Sequence, residues 1–254
     1  MIEPRTPEVR AAGTSPVAVL IAYVREVVRS CFGSRNGVLG MLVAVLPAGA
    51  LGLGLALQSN LSVEMGMDTT SIGWLSLWSS IMGAIGCVLG GVLSDKLGRR
   101  LMLTLYIVAM SLPTIWLAYR LREFGWIWPR ADDAPKVIAP DDLLRDFWIA
   151  AIVYSLFQGL MYGSRSALFM DLCKSEIAAT QFTAFMSLMN LAIAYSAWWQ
   201  GYAAEEWGYP ATLAIDAGVG VLCLLPMALL NLRRRDRPPR SKRLEAEMST
   251  ANPA

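Results

Sequence analysis

Six stretches of about twenty apolar residues, none carrying more than one charge, constrain this chain more than any other feature. They run from Gly37 to Gln58, Ile72 to Leu93, Leu101 to Tyr119, Phe147 to Leu168, Gln181 to Gly201 and Ala211 to Leu232. A bilayer core about 30 Å thick is crossed by roughly twenty residues at a rise of about 1.5 Å each, so each stretch is long enough to span. A soluble bundle would need a charged outer face on every helix, and these stretches have none. With 55% hydrophobic and 17% charged residues and a mean hydropathy of +0.45, the apolar excess is also larger than a soluble core requires. The expectation is an all-α membrane protein with six transmembrane helices. Pro47, Pro113 and Pro226 lie inside spans, where neighbouring helices and waters can satisfy the freed backbone groups.

Residues 1–36 form a segment before the first span, 37–232 the transmembrane domain and 233–254 a tail. The run from Pro16 to Arg35 mixes apolar and basic residues, and Arg25 and Arg29 interrupt the uniform core that a signal peptide would need. It reads as an amphipathic helix on the membrane surface. The basic, proline-rich tail is expected to be disordered and able to hold anionic headgroups. With the N-terminus inside, 17 of the 22 Lys and Arg residues fall on the cytoplasmic side, which places both termini there. The remaining five lie in the loop from Arg120 to Arg145, whose Trp126 and Trp128 read as an interfacial anchor or as plain surface.

Other chemistries find little support. Histidine is absent, and the four cysteines, Cys31, Cys87, Cys173 and Cys223, have no metal-ligand or disulfide spacing. There is no Gly-rich phosphate loop followed by Lys and Ser or Thr, and no nucleophile elbow, so neither an ATPase nor another membrane enzyme is indicated. No cofactor or metal is expected. The expected partners are membrane lipids and a small-molecule solute, with no nucleic acid among them.

Between the second and third stretches the sequence reads Gly90-Gly-Val-Leu-Ser-Asp-Lys-Leu-Gly-Arg-Arg100. This resembles the signature loop of major facilitator transporters, and Gly91, Asp95, Gly98, Arg99 and Arg100 carry the likeness. The resemblance implies a conformational latch that opens and closes as access alternates; otherwise Arg99 and Arg100 are ordinary positive-inside residues and Asp95 a cap. Gly83, Gly86 and Gly90 form a small-residue stripe on the second span that lets another helix approach closely. A second stretch, Arg165 to Asn190 with Ala178-Ala-Thr-Gln-Phe182 at its core and continuing to Gly208-Tyr-Pro-Ala-Thr212, is similar to helices ten to twelve of the branch holding AmpG-type muropeptide permeases and acetyl-coenzyme A transporters. That likeness implies that the chain is a C-terminal six-helix half-bundle, with Pro16 to Arg35 as the connector between halves. It also implies muropeptide-like or acyl-coenzyme A-like cargo and a bacterial inner membrane. Alternating access needs a second half, so Met1 is not the true start, or another subunit or second copy supplies it.

Within the spans, Tyr154, Gln158, Tyr162 and Arg165 recur on one face of the fourth and form a candidate cavity wall. Arg165 either binds an anionic group or snorkels to headgroups. On the fifth span Thr183, Ser187 and Asn190 either contact a solute or hold helices together. Asp216 is the one acidic residue well inside a span, placed for proton coupling or as a helix-end carboxylate after Pro210. The leading expectation is a secondary transporter of a small polar or anionic solute. The other is a non-transporting membrane sensor or assembly partner, or a truncated reading frame.

Overall fold

The computed structural model describes residues 35–129, 138–173 and 177–230, together with Arg25, Phe32 and Gly33. The expectations for the surface helix from Pro16 to Arg35, most of its length, and for the 233–254 tail therefore lie outside the described residues. In chain order the helices are α1 (Arg35–Val45), α2 (Ala56–Glu64), α3 (Thr69–Leu97), α4 (Arg99–Glu123), α5 (Asp141–Leu172), α6 (Ala178–Val221) and α7 (Leu224–Leu229), with a 3-10 turn at Gly52–Gly54. Among the described residues there is no strand, and four helices are long and apolar enough to cross a membrane: Thr69–Leu97, Arg99–Glu123, Asp141–Leu172 and Ala178–Leu229.

The first predicted span is not one helix. It breaks after Val45 and resumes at Ala56, because Pro47 has no N–H to donate and its ring clashes with the preceding turn. Gly49 then takes a positive φ of 80°, a conformation that a side chain resists. Irregular backbone at membrane depth survives only where protein covers it, and Ala48 and Ala50 are fully buried.

The last two predicted spans are the two helical arms of α6, which meet at a break in helical geometry. Gly208 has φ 79° and ψ 165°, far from helical values. The side chains of Gln200 and Asp216 nevertheless meet at 2.6 Å, whereas sixteen residues along a straight helix would separate them by about 24 Å. The element therefore folds back on itself at Gly208, and its two arms lie side by side. The turn is pinned where Tyr209 N–H donates to the Ile127 carbonyl at 2.8 Å. A Cβ on residue 208 would sit 2.5 Å from that same oxygen.

The tightest helix pair is α3 with α5. The close approach expected of Gly86 and Gly90 is made by α5, which brings Gly159 and Gly163 to the same seam. Added Cβ atoms would collide with carbonyls of Leu156 (from Gly86), Leu160 (from Gly90), Gly83 (from Gly159) and Cys87 (from Gly163). Across the seam the Ser164 hydroxyl donates to the Gly90 carbonyl at 3.0 Å. Phe147, Tyr154, Phe169 and Phe185 fill the space between α5 and its neighbours, and Phe169 stacks on Phe185 with centroids 4.9 Å apart. The N-terminus of α3 is capped by Asp68, whose carboxylate accepts from Thr70 N–H and Ser71 N–H.

Candidate functional site: a broken helix beside a two-part cavity

The break in the first span creates the orphan carbonyls and N–H groups that end any helix, and they are buried where water is scarce. Two ionisable side chains meet them from opposite sides. Arg165, 3% exposed, directs Nη2 at the carbonyls of Val43, Ala44 (3.0 Å) and Leu46 (3.1 Å), the open C-terminal end of α1. Asp216, 2% exposed, accepts from Gly52 N–H at 2.8 Å, the first residue of the next helical turn, and from Gln200 Nε2. A guanidinium suits the negative end of a helix and a carboxylate the positive end. Tyr195 adds a hydrogen bond to the Val45 carbonyl at 2.6 Å, and Gly49 N–H donates to the Gly220 carbonyl.

Of the two readings of Arg165, snorkelling does not describe its position. The side chain turns inward to the break and its Nε is buried with no hydrogen-bond partner. Asp216, for its part, lies about two turns past the break at Gly208 and so inside the helical arm, beyond its first turn after Pro210.

Beside the break lies a cavity of about 340 Å³, lined by Gln158, Tyr162 and Arg165 together with Leu51, Met161 and Ile193. Tyr154 stands behind it, fully buried, and receives a hydrogen bond from Gln158 Nε2 at 3.3 Å. Gly54 passes so close to this pair that a Cβ there would meet Gln158 Nε2 at 2.5 Å and Tyr154 Oη at 2.8 Å. The structure thus brings Gln158, Tyr162 and Arg165 to one wall. Asn190 is exposed, and the side of α6 that meets this cavity is presented by Met189, Ala192 and Ile193. Thr183 and Ser187 are exposed and donate back to their own helix, at Ala179 and Thr183.

A second cavity of about 290 Å³ adjoins the first at Gly54, Leu55, Gly83 and Gln158. Its serines, Ser76, Ser79 and Ser80 on α3 and Ser59 and Ser62 on α2, were not singled out from the sequence. The recurrence of hydroxyls at i, i+3 and i+4 in an otherwise apolar span is the signal that could have found them.

At the far end of α3, Gly98 closes the helix with φ 104° and ψ 121°, and its N–H donates to the Ser94 carbonyl. Nothing crowds a Cβ at Gly98 or Gly91, so the glycine at 98 answers to the turn and not to packing. Arg99 bridges two carboxylates, with Nη2 2.8 Å from Asp95 and Nη1 2.8 Å from Asp171 at the end of α5, and also donates to the Ala167 carbonyl. Arg100 donates to the carbonyls of Ala228 and Leu230 (3.1 Å), where α7 ends. Arg99 and Arg100 therefore join the α3–α4 turn to the ends of α5 and α7. Asp171 pairs with Arg99; Lys174 and Glu176 lie outside the described residues.

The family model of the Major Facilitator Superfamily matches residues 37–253. No curated protein and no solved structure matches the chain.

Proposed function

Because the chain belongs to the Major Facilitator Superfamily, whose members are transporters, we propose that it is a secondary transporter that moves a small solute through the cavity beside the broken first span. The observation that carries this reading is the wall of Gln158, Tyr162 and Arg165 set against irregular backbone that two buried ionisable groups hold in place. Discontinuous helices bordering a cavity are where secondary transporters keep their substrate and ion sites. We propose six crossings with both termini in the cytoplasm, which the positive-inside count supports, and a bacterial inner membrane, which rests on the resemblance alone. We propose a second six-helix half as partner. The least buried helix, α3, leaves Gly73, Ser80 and Ala84 exposed along one flank, and small residues suit a helix contact. Muropeptide-like cargo rests on the Arg165 to Asn190 resemblance alone.

Asp216 is the proposed proton site. Protonation would weaken its acceptance from Gly52 N–H, two residues before Gly54 at the cavity. Uptake into proteoliposomes driven by an imposed pH gradient should lose that dependence in Asp216→Asn while exchange of solute continues; a gradient response that persists would exclude Asp216.

The transport reading is tested without knowing the solute. In a chain whose Cys31 and Cys87 are replaced by serine, Ser79→Cys should react with a membrane-impermeant maleimide from either side of sealed vesicles. A fixed sensor cavity would react from one side only.

A further inference from the structure

Resting on the reading of this cavity as the solute pathway, we propose that its occupant is a neutral amphiphile, with a head rich in hydrogen-bond donors among the serines and an apolar body beside Tyr162. The two compartments meet at Gly54, Leu55, Gly83 and Gln158, so one molecule can reach both.

The head compartment is lined by Ser59, Ser62, Ser76, Ser79, Ser80 and Ser155, with Gln58 and Gln158 at its margins. No Asp, Glu, Lys or Arg lines it among the described residues. An ion seated there would have no counter-charge among the lining residues, whereas a neutral head of hydrogen-bond donors needs none.

The direction of the hydroxyls narrows the choice further. Ser62 donates to the Gln58 carbonyl, Ser80 to the Ser76 carbonyl and Ser155 to the Ala151 carbonyl, each at 2.8 Å. A hydroxyl has one proton and two lone pairs, so these three have committed the proton and offer the ligand acceptors. Ser79 Oγ is buried with no partner at all and is available to either kind of ligand group. A surface of acceptors selects hydroxyl and amide N–H donors over carboxylate or phosphate.

The other compartment is apolar apart from Gln158, Tyr162 and Arg165. Nη2 of the Arg165 guanidinium is committed to three carbonyls of the broken helix and its Nε is buried without a partner, while Leu51, Leu55, Met161, Met189, Ala192 and Ile193 supply the rest of the wall. An apolar cavity of about 150 Å³ holds benzene, so the 340 Å³ here has room for a ring and its substituents. The match is to one molecule with unlike ends.

Cys87 lines the apolar compartment and provides the readout. In vesicles holding the full chain with Cys31→Ser, phenyl β-glucoside should slow maleimide labelling of Cys87 several-fold, whereas glucose and phenylacetate should not. Ser79→Ala with Ser80→Ala should abolish that protection, and an unchanged labelling rate without probe would show that the pair still folds. Protection by phenylacetate as good as by phenyl β-glucoside would overturn the proposal in favour of an anion at Arg165 Nε. Equal protection by glucose would overturn it in favour of a plain polar solute. No protection by any neutral amphiphile, with Ser79→Cys still labelled from both sides, would sink the neutral amphiphile and leave the transport reading standing; labelling from one side only would sink transport instead.

Discussion

Asp216 makes its hydrogen bonds by geometry that an amide can copy, and this gives two substitutions opposite outcomes. In Asp216→Ala the Gly52 N–H and the Gln200 amide both lose their acceptor in a buried site. Each stranded group costs about 1–3 kcal/mol, and relief from burying a carboxylate offsets part of it, which leaves a net loss of about 2–4 kcal/mol. In Asp216→Asn the side-chain oxygen still accepts from Gly52. Its new amide group faces Gln200, whose Oε1 is buried without a partner and can turn to receive it. The expected change is within about 1 kcal/mol. Local opening of the break can be followed by alkylation of Cys223, which is buried with its thiol on the Val43 carbonyl. At about 1.4 kcal/mol per tenfold, Asp216→Ala should react roughly thirty to seven hundred times faster than the parent and Asp216→Asn at most about fivefold faster. A parental rate in Asp216→Ala would show that the carboxylate does not hold the break. Equal acceleration in both variants would show that charge, not hydrogen-bond geometry, is what matters.

The seam between α3 and α5 makes a steric prediction. Gly159→Ala drives a methyl into the Gly83 carbonyl and should destabilise by about 2–3 kcal/mol, while Gly91→Ala, with open space around it, should be neutral or gain a few tenths; equal detergent-unfolding midpoints would refute the close crossing. At the loop, Asp95 is largely exposed, so Asp95→Asn should cost less than about 1 kcal/mol and leave membrane insertion intact. If the loop is a latch, the same variant should still reduce transport, and full activity would remove that role. Hydrogen bonds from Ser71 and Thr70 hold the Asp68 carboxyl below its ordinary value. Its contribution is thus complete above the unfolded-state value and lost as pH falls through the folded one. Protection factors for amide exchange at residues 69–72, with the intrinsic pH dependence of exchange divided out, should fall in acid, and Asp68→Asn should remove that fall.

Much of this architecture was legible from hydropathy because lipid leaves a helix no alternative partner. The spans beginning near Ile72, Leu101 and Phe147 are helices with ends a few residues outside the apolar runs. Helix packing was readable at Gly86 and Gly90, since small residues have few other uses at such spacing. What remained hidden was the break at Leu46 to Leu55. Pro47 alone does not decide between a kink and a rupture; the outcome depends on Arg165, Tyr195 and Asp216, which are more than a hundred residues away in sequence. The cavity wall was half visible for a related reason. Helical spacing groups Gln158, Tyr162 and Arg165, but which side of α6 meets them is set by tertiary rotation, and that put Met189 where Asn190 was expected.

The ties across the broken first span also bear on the order in which the protein assembles. The side chains that tie down the break, Arg165, Tyr195 and Asp216, and the Gly220 carbonyl all come from α5 and α6. A nascent chain emptied of those residues has no means of keeping residues 46–55 irregular in lipid, so the first span must enter as an ordinary helix or wait at the interface. Its final shape is imposed retroactively by the last segments made. Chains released after residue 140 should then show a cysteine placed at Ala50 protected by lipid in a helical pattern, and only the longer chains should show the native one.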